Sequence, residues 1–414
     1  MRSMNLAAAC LAGCAALAFG AAGLPAQAQG KKTTLTFATA TKDAGRLDPH
    51  MTATTPDKTI LAWMFNGLVR FKPGSISPEE IEADIAEKWS RSPDGKVWTF
   101  NLRGDVVCHD GSALTADDVV YSLKRAADPK TSQFSSDYKS FEKVEAVDAR
   151  TVRITLSNPV PGFLGYVSNY HGGNIVCKKA GEAAGENFKL KPIGTGPFMF
   201  EEYKPQVSVT LVANKKYYRG APKLERIVYR YIESDASRDL GFQSGEIDVT
   251  YGRQDETWVD RAKKIKGAVV IVMEPGELTT LYLNTKHDVL KDIRVRQAIA
   301  HAIDRKEILQ FKGASTAREA QSIVPIGYLG QASGMPMLPY DLAKAKKLLA
   351  DAGHPNGVTI KIIHTNLPGM LSFMQAAQAQ LKKAGINLEI DVVEHATFHA
   401  QIRKDLSPIV HYAA

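Results

Sequence analysis

Blocks of like charge are absent from this chain of 414 residues, although 52 lysines and arginines stand against 44 aspartates and glutamates. The basic residues are scattered along the sequence, and the formal net charge is +8. Because nucleic-acid-binding domains concentrate their positive charge in a patch or stripe, this distribution argues against a nucleic-acid partner. A dispersed positive charge favours solubility and contacts with anionic ligands or with a membrane surface.

The chain also lacks the motifs of common enzymes. Gly194–Gly196 looks like a phosphate-binding loop, but no Lys-Ser or Lys-Thr pair follows it and Pro197 removes a donor N–H. His395 and His399 have the helical spacing of a zinc pair, but Ala396 stands where an H-E-x-x-H metalloprotease has its glutamate. No G-x-S-x-G nucleophile elbow occurs. We therefore predict a binding protein without catalytic residues, metal or cofactor.

The longest apolar run, Leu6–Gly20, is too short to span a membrane. It follows Arg2 and precedes the small-residue site Ala26–Ala28, which is the pattern of a secretory signal peptide over residues 1–28. A periplasmic protein is therefore expected. The alternative is a lipoprotein, because Leu11–Cys14 also spells a lipoprotein box in which Cys14 would carry the lipid. The apolar run continues well beyond Cys14, which favours the cleavable signal.

Cysteine is scarce, with four residues in the whole chain. Cys10 and Cys14 leave with the signal, so Cys108 and Cys177 are the two of the mature chain. In an oxidising compartment these two thiols can pair as a disulfide. The alternative is two separately buried thiols that behave as small apolar residues. The sequence leaves both open, because it does not fix the distance between the Cα atoms.

Alternation of apolar and polar residues predicts strands in the first half of the chain. The segments are Val97–Arg103, Thr151–Leu156, which forms a hairpin with Val144–Val147, and Val207–Val212. We expect Val97–Arg103, Thr151–Leu156 and Val207–Val212 to lie in one mixed sheet. Helices are predicted over Ile60–Val69 and over Ala116–Arg125, the second beginning at a capping box of Thr115 and Asp118.

The second half alternates between helices and strands. Asp341 is the expected N-cap of a helix over Leu342–Ala352. Val358–Ile363, Leu371–Ala384 and Ile386–Val393 then predict strand, helix and strand, with Gly385 ending the helix. Such a βαβ unit places its two strands in parallel. The pattern predicts an α/β protein.

Several segments together resemble the extracytoplasmic solute-binding proteins of peptide-type ABC importers, the dipeptide and oligopeptide class. They read DGKVWTFNLR, HDGSALTADDVVYSLKR, TVRITL, PIGTGPF, FQSGEIDV, DIRVRQAIAHAIDR, PYDLAKAKKLLADAGHPNG and LKKAGINLEIDVVE. Each motif is weak alone, but their order and spacing match the family over about residues 33–414. The resemblance implies a monomer that captures a peptide or peptide-like solute and delivers it to a permease in the inner membrane.

The resemblance also implies a two-lobe α/β fold of the periplasmic-binding-protein (Venus-flytrap) type with mixed sheets. Lobe I, with the extra subdomain of the peptide-binding class, is expected over residues 29–272. Lobe II is expected over residues 273–414 without the segment that completes it in the family, so the resemblance implies a C-terminal truncation.

Candidate ligand contacts follow from the family pattern: Thr54 and Thr55 after Asp48-Pro49, His364 and Asn366 after the strand 358–363, and Tyr412. Dipeptide binders place an arginine in the loop that is residues 364–370 here, and this loop has none, which argues against a dipeptide. Peptides, opines, glutathione, nickel chelates and oligosaccharides all bind this fold. A secreted hydrolase and a solute sensor of the same fold are the alternative functions.

Overall fold

The computed structural model describes residues 32–413 with the exception of 53, 76, 254, 273–277, 314, 327, 329, 403, 405 and 406. The expected signal peptide, with Cys10 and Cys14, and the boundary predicted at residue 273 lie outside the described residues. Within them, no helix combines the length and the apolar character that crossing a membrane requires.

Groups of strands are separated by helices along the described residues. The strands are β1 (Thr34–Thr39), β2 (Val69–Phe71), β3 (Ile81–Ala83), β4 (Ala86–Arg91), β5 (Val97–Leu102), β6 (Phe141–Asp148), β7 (Thr151–Leu156), β8 (Phe198–Lys204), β9 (Ser208–Ala213), β10 (Arg226–Tyr231), β11 (Val249–Thr250), β12 (Thr279–Leu283), β13 (Val358–Thr365), β14 (Ile386–Val393) and β15 (Ile409–Ala413). The helices are α1 (Thr55–Met64), α2 (Ala116–Ala127), α3 (Phe163–Tyr166), α4 (Lys178–Ala184), α5 (Asp235–Ser244), α6 (Glu256–Lys263), α7 (Ile293–Ala302), α8 (Arg305–Lys312), α9 (Leu342–Asp351), α10 (Pro368–Lys383) and α11 (His395–Ile402).

Residues 34–263, which we call the first lobe, contain two larger sheets. One has five strands in the order β11-β1-β10-β9-β8, with β1 parallel to β10 and β11 and the other pairs antiparallel. The other is antiparallel, with the order β4-β5-β7-β6. Each sheet packs on its own apolar core.

The prediction of one mixed sheet in this lobe is wrong. Strands β5 and β7 pair in the antiparallel sheet, where Phe100 and Ile154 pack with α2, whereas β9 lies in the five-stranded sheet, where Leu211 packs with α1. Alternation identifies the buried face of a strand, but it does not identify the strand beside it, because pairing depends on contacts that are distant in sequence.

Helix α2 begins as predicted and α1 does not. The main-chain N–H of Thr115 donates to Asp118 Oδ2 at 2.7 Å, which forms the predicted capping box. Helix α1 covers Thr55–Met64 instead of Ile60–Val69. Proline suits the first helical turn, so Pro56 favours the early start, and the extended backbone at Phe65 ends the helix.

The Gly-Thr-Gly segment is a structural turn, as predicted, packed against the end of α1. A side chain at Gly194 would place its Cβ 2.1 Å from the main-chain oxygen of Met64, so only glycine fits there. Thr195 is fully buried and donates from Oγ1 to Asn66 Oδ1 at 3.0 Å. A buried disulfide joins Cys108 to Cys177, with a Cα–Cα distance of 6.3 Å.

Residues 279–413, which we call the second lobe, form around the predicted βαβ unit. Strands β13 and β14 pair in parallel from Val358–Ile386 to Thr365–Val393, with α10 between them, which confirms the prediction. Strand β12 pairs antiparallel with β15. Helices α7, α9 and α10 cover these strands with an apolar core separate from those of the first lobe.

Candidate functional site

A cavity opens on the first lobe beside α1 and the loop before it. Its volume is about 240 Å³. The polar groups around it are hydroxyls, side-chain amides and one ammonium group, and the remainder is apolar. The lining residues are Pro49, Thr55, Lys58, Thr59, Leu61, Ala62, Asn169, Tyr170 and Asn174. A small solute with both polar and apolar parts matches such a lining.

The side chain of Asp57 organises the loop that leads into α1. Its carboxylate accepts hydrogen bonds from Thr52 Oγ1 and Thr54 Oγ1, both at 2.9 Å, and from the main-chain N–H of Gly45 at 3.2 Å. An added side chain at Gly45 would place its Cβ 2.6 Å from Asp57 Oδ2. The buried Asp57 carboxylate therefore has three donors, which hold the loop against the helix.

A buried hydrogen-bond network of Asp48, Arg125 and His50 lies at the start of this loop. Arg125 Nη1 donates to Asp48 Oδ1 at 2.8 Å and to His50 Nδ1 at 2.9 Å. His50 Nε2 then donates to the main-chain oxygen of Asn174 at 3.0 Å, so a neutral imidazole satisfies both nitrogens. Burial and the neighbouring Arg125 lower the pKa of His50 to about 4.

The ammonium group of Lys58 lies over two aromatic rings at the cavity. Its Nζ atom is 4.7 Å from the ring centroid of Tyr170 and 5.4 Å from that of Phe134. Removal from water lowers the pKa of Lys58. Burial, followed by the nearby Tyr328 of the second lobe, raises the pKa of Tyr170. The cavity thus lies where the second lobe approaches the first.

Of the predicted contacts in the first lobe, Thr55 lines the cavity and Thr54 is the residue before it. Thr54 is exposed and is the N-cap of α1, and its hydroxyl donates to Asp57. Sequence reasoning missed Lys58 and Tyr170. Lys58 shares a helix face with Thr55, three residues before it, but the helix was predicted to begin only at Ile60, so the sequence did not place the two together. Nothing in the sequence indicated that Tyr170 returns to this helix.

The structure places His364 inside strand β13 and beneath the surface of the second lobe, and not in the loop after the strand, where it was predicted. His364 is fully buried, and its ring stacks on that of His411 with a centroid separation of 5.3 Å. His364 Nε2 and His411 Nδ1 are 3.1 Å apart. Burial, the neighbouring His364 and then Lys312 lower the pKa of His411 to about 3, so the pair is neutral at physiological pH.

The other two predicted contacts of the second lobe reach the surface. Asn366 directly follows β13 and is exposed, and its main-chain N–H donates to Val393 O at 3.0 Å. Tyr412 lies in β15, opposite Thr280 of β12, and is partly exposed. Both stay predicted contacts.

Metal-binding geometry is also absent among the residues that the structure describes, where no group of three or more potential ligands comes together. His395 instead hydrogen-bonds through Nδ1 to Thr365 Oγ1 at 2.9 Å. The side chain of His399 lies outside the described part of the chain.

Comparison with known proteins identifies the family. Residues 80–411 match the family model described as bacterial extracellular solute-binding proteins, family 5, middle part. The two lobes with mixed sheets are those of a periplasmic binding protein. The chain therefore belongs to the family-5 extracellular solute-binding proteins.

Similar proteins differ in what they bind. The chain is 30% identical over 380 residues to heme-binding protein A of Haemophilus influenzae, covering 82% of this chain and 66% of that protein. It is 30% identical over 314 residues to di/tripeptide-binding protein 2 of Pseudomonas aeruginosa, covering 70% of this chain and 58% of that protein. It thus spans about three-fifths to two-thirds of these relatives' lengths.

A solved structure matches more strongly. The solute-binding protein MoaA of A. tumefaciens R10, in complex with mannopinic acid, is 48% identical to this chain. The match has a TM-score of 0.84 and covers 93% of this chain and 78% of MoaA. The likeness therefore extends over most of both lobes.

Proposed function

We propose that this protein is the substrate-binding component of an ABC importer, which captures a small peptide-like or opine-like solute between two lobes. The observation that carries the proposal is the 48% identity to MoaA over 93% of the chain. In this role the protein presents its solute to a permease in the inner membrane, works as a monomer and catalyses no reaction. The proposed lobes are residues 29–272 and 273–414.

The proposed location is the periplasm, reached by a cleavable signal peptide over residues 1–28. Support comes from the family, whose members are extracellular solute-binding proteins, and from the buried disulfide, because disulfides persist in oxidising compartments.

For the solute, an acid of the mannopinic acid type has more support than a dipeptide. The loop 364–370 has no arginine, which the dipeptide binders of the family place there. The net charge of +8 favours anionic solutes in general. Di- and tripeptides remain the second class, because the P. aeruginosa relative is a di/tripeptide-binding protein.

Of the predicted contacts, Thr55 has the clearest support, because it lines the cavity. We propose that its hydroxyl hydrogen-bonds a polar group of the solute. Thr54, Asn366 and Tyr412 complete the proposed contact set, whereas His364 acts from beneath the surface by fixing the position of His411.

Isothermal titration calorimetry with mannopinic acid and with a panel of di- and tripeptides tests the proposal. We expect saturable binding of the acid, and a Thr55→Val variant that binds it about 2- to 10-fold more weakly, the usual effect of one neutral hydrogen bond. Thr359→Val is the matched control, because Thr359 is an exposed strand residue of the second lobe.

Small-angle scattering tests the capture mechanism separately. A solute that contacts both lobes favours a closed state only through its higher affinity for that state, so the radius of gyration should fall on binding. Absence of binding by every compound of both classes would refute the proposed solutes. Proven binding with an unchanged radius would refute closure.

A further inference from the structure

Lys58 is a partly buried cation that lies over aromatic faces, and the residues that the structure describes supply it with no counter-ion. Its Nζ atom lies over the rings of Tyr170 and Phe134, at 4.7 and 5.4 Å. Among the carboxylates of the described residues, none lies within the 4.0 Å of an ion pair with this nitrogen. The carboxylate of the neighbouring Asp57 accepts its three hydrogen bonds from Gly45, Thr52 and Thr54 instead.

The ammonium group of Lys58 lacks an interaction that fully offsets its removal from water. Removing an ammonium group from water has a cost that buried or partly buried cations normally recover from a carboxylate. Contacts with the aromatic faces offset only part of this desolvation cost, since a cation–π contact is weaker than a charge-assisted hydrogen bond at close range. The cavity beside Nζ is open, so an anionic group of a solute can reach the position that a protein carboxylate would fill.

We propose that Lys58 binds a carboxylate of the solute, and that this pairing selects acids over their neutral derivatives. The proposal rests on the proposed function and names the chemical class that the cavity takes. Tyr170, which also lines the cavity, and Phe134 hold the ammonium group over their rings. The amide side chain of Asn169 and the hydroxyl of Thr55, which also line the cavity, are the polar groups available to the rest of the solute.

Tyr328 of the second lobe is near enough to Tyr170 to raise the pKa of its hydroxyl, after the larger effect of burial.

Calorimetry with two matched probes is the first test. The probes are mannopinic acid and its methyl ester, and the proteins are the wild type, Lys58→Met, Lys58→Arg and the control Lys347→Met. Lys347 is an exposed second-lobe lysine that pairs with Asp351. We expect Lys58→Met to bind the acid about 10- to 100-fold more weakly, the loss of one charge-assisted hydrogen bond, with Lys58→Arg and Lys347→Met close to the wild type.

The ester separates a binding role from a packing role. If Lys58 pairs with the carboxylate, Lys58→Met should weaken binding of the acid far more than binding of the ester. Equal losses of affinity for both probes would mean that Lys58 only supports the cavity wall. Unchanged affinity for the acid would mean that Lys58 does not touch the solute. Either result overturns the inference while leaving the proposed function intact.

A second measurement works even if mannopinic acid is not a solute of this protein. Lysines carrying ¹³C-methyl groups report their surroundings by NMR, and the Lys58 signal is identified by its loss in Lys58→Arg. We expect this signal to shift, and its pKa to rise, on titration with at least one of mannopinic acid, L-glutamate and a tripeptide. A Lys58 signal unmoved by all three overturns the inference. Failure of all three to bind by calorimetry counts against the proposed function.

Discussion

Removing the Cys108–Cys177 disulfide should substantially destabilise the first lobe. The bond joins residues that are 69 positions apart, and both cysteines are buried. A cross-link over such a loop lowers the entropy of the unfolded chain, which corresponds to about 4 kcal/mol of stability. At about 2–4 °C per kcal/mol for a unit of this size, the double variant Cys108→Ala/Cys177→Ala should melt roughly 8–16 °C lower.

Differential scanning calorimetry of the wild type, the double variant and the wild type under reducing conditions measures this effect. Reduction should reproduce the shift of the double variant, because both treatments free the same loop. A shift below about 2 °C, with the disulfide of the wild type verified by mass spectrometry, would refute the reasoning. It would mean that contacts in the unfolded chain already restrain the loop.

Three further predictions concern buried groups. Gly194→Ala should cost about 1–3 kcal/mol in urea unfolding, because its Cβ would lie 2.1 Å from a main-chain oxygen of α1, whereas Gly165→Ala, with nothing within 4 Å, should stay within about 0.5 kcal/mol. Arg125→Met should cost about 3–5 kcal/mol, since it leaves the buried carboxylate of Asp48 without its cation, and a loss below 1 kcal/mol would contradict this. Below about pH 6.5 the unfolded chain protonates His411, whereas the folded chain does not, because burial lowers the folded pKa of His411 to about 3. The free energy of unfolding should therefore fall by about 1.4 kcal/mol per pH unit on acidification because of this histidine. His411→Phe should show a shallower dependence of stability on pH between about pH 7 and pH 5.

Residues that begin or end helices explain why parts of the fold could be predicted from sequence. Gly385 ends α10 with a positive φ of 93°, and the strands on either side of that helix have regular apolar positions, so the βαβ unit follows from neighbours in the chain. The capping box at Thr115 is likewise a local device. Sheet partners are different, because the pairing of β1 with β10 depends on residues almost two hundred positions apart.

The same distinction explains the site. Thr55 could be proposed because the family resemblance places contacts in the loop after Asp48-Pro49, whereas Lys58 becomes notable only once Tyr170 and Phe134 lie under its ammonium group. His364 was expected in the loop after the strand 358–363. Its burial depends on the ring of His411, which β15 brings over it from 47 positions away.

The position of β1 between β10 and β11 makes closure of the five-stranded sheet a late event in folding. Thr34 pairs with Arg226, and Phe37 pairs with Val249 on the other side of the strand, so β1 has neither neighbour until distant parts of the first lobe come together. Closing the 192 positions between Thr34 and Arg226 costs more chain entropy than closing a hairpin, so contacts of this kind form slowly. Until they form, both edges of β1 are open to pairing with other chains. The interval before this sheet closes is therefore the stage of folding at which the chain is most exposed to aggregation.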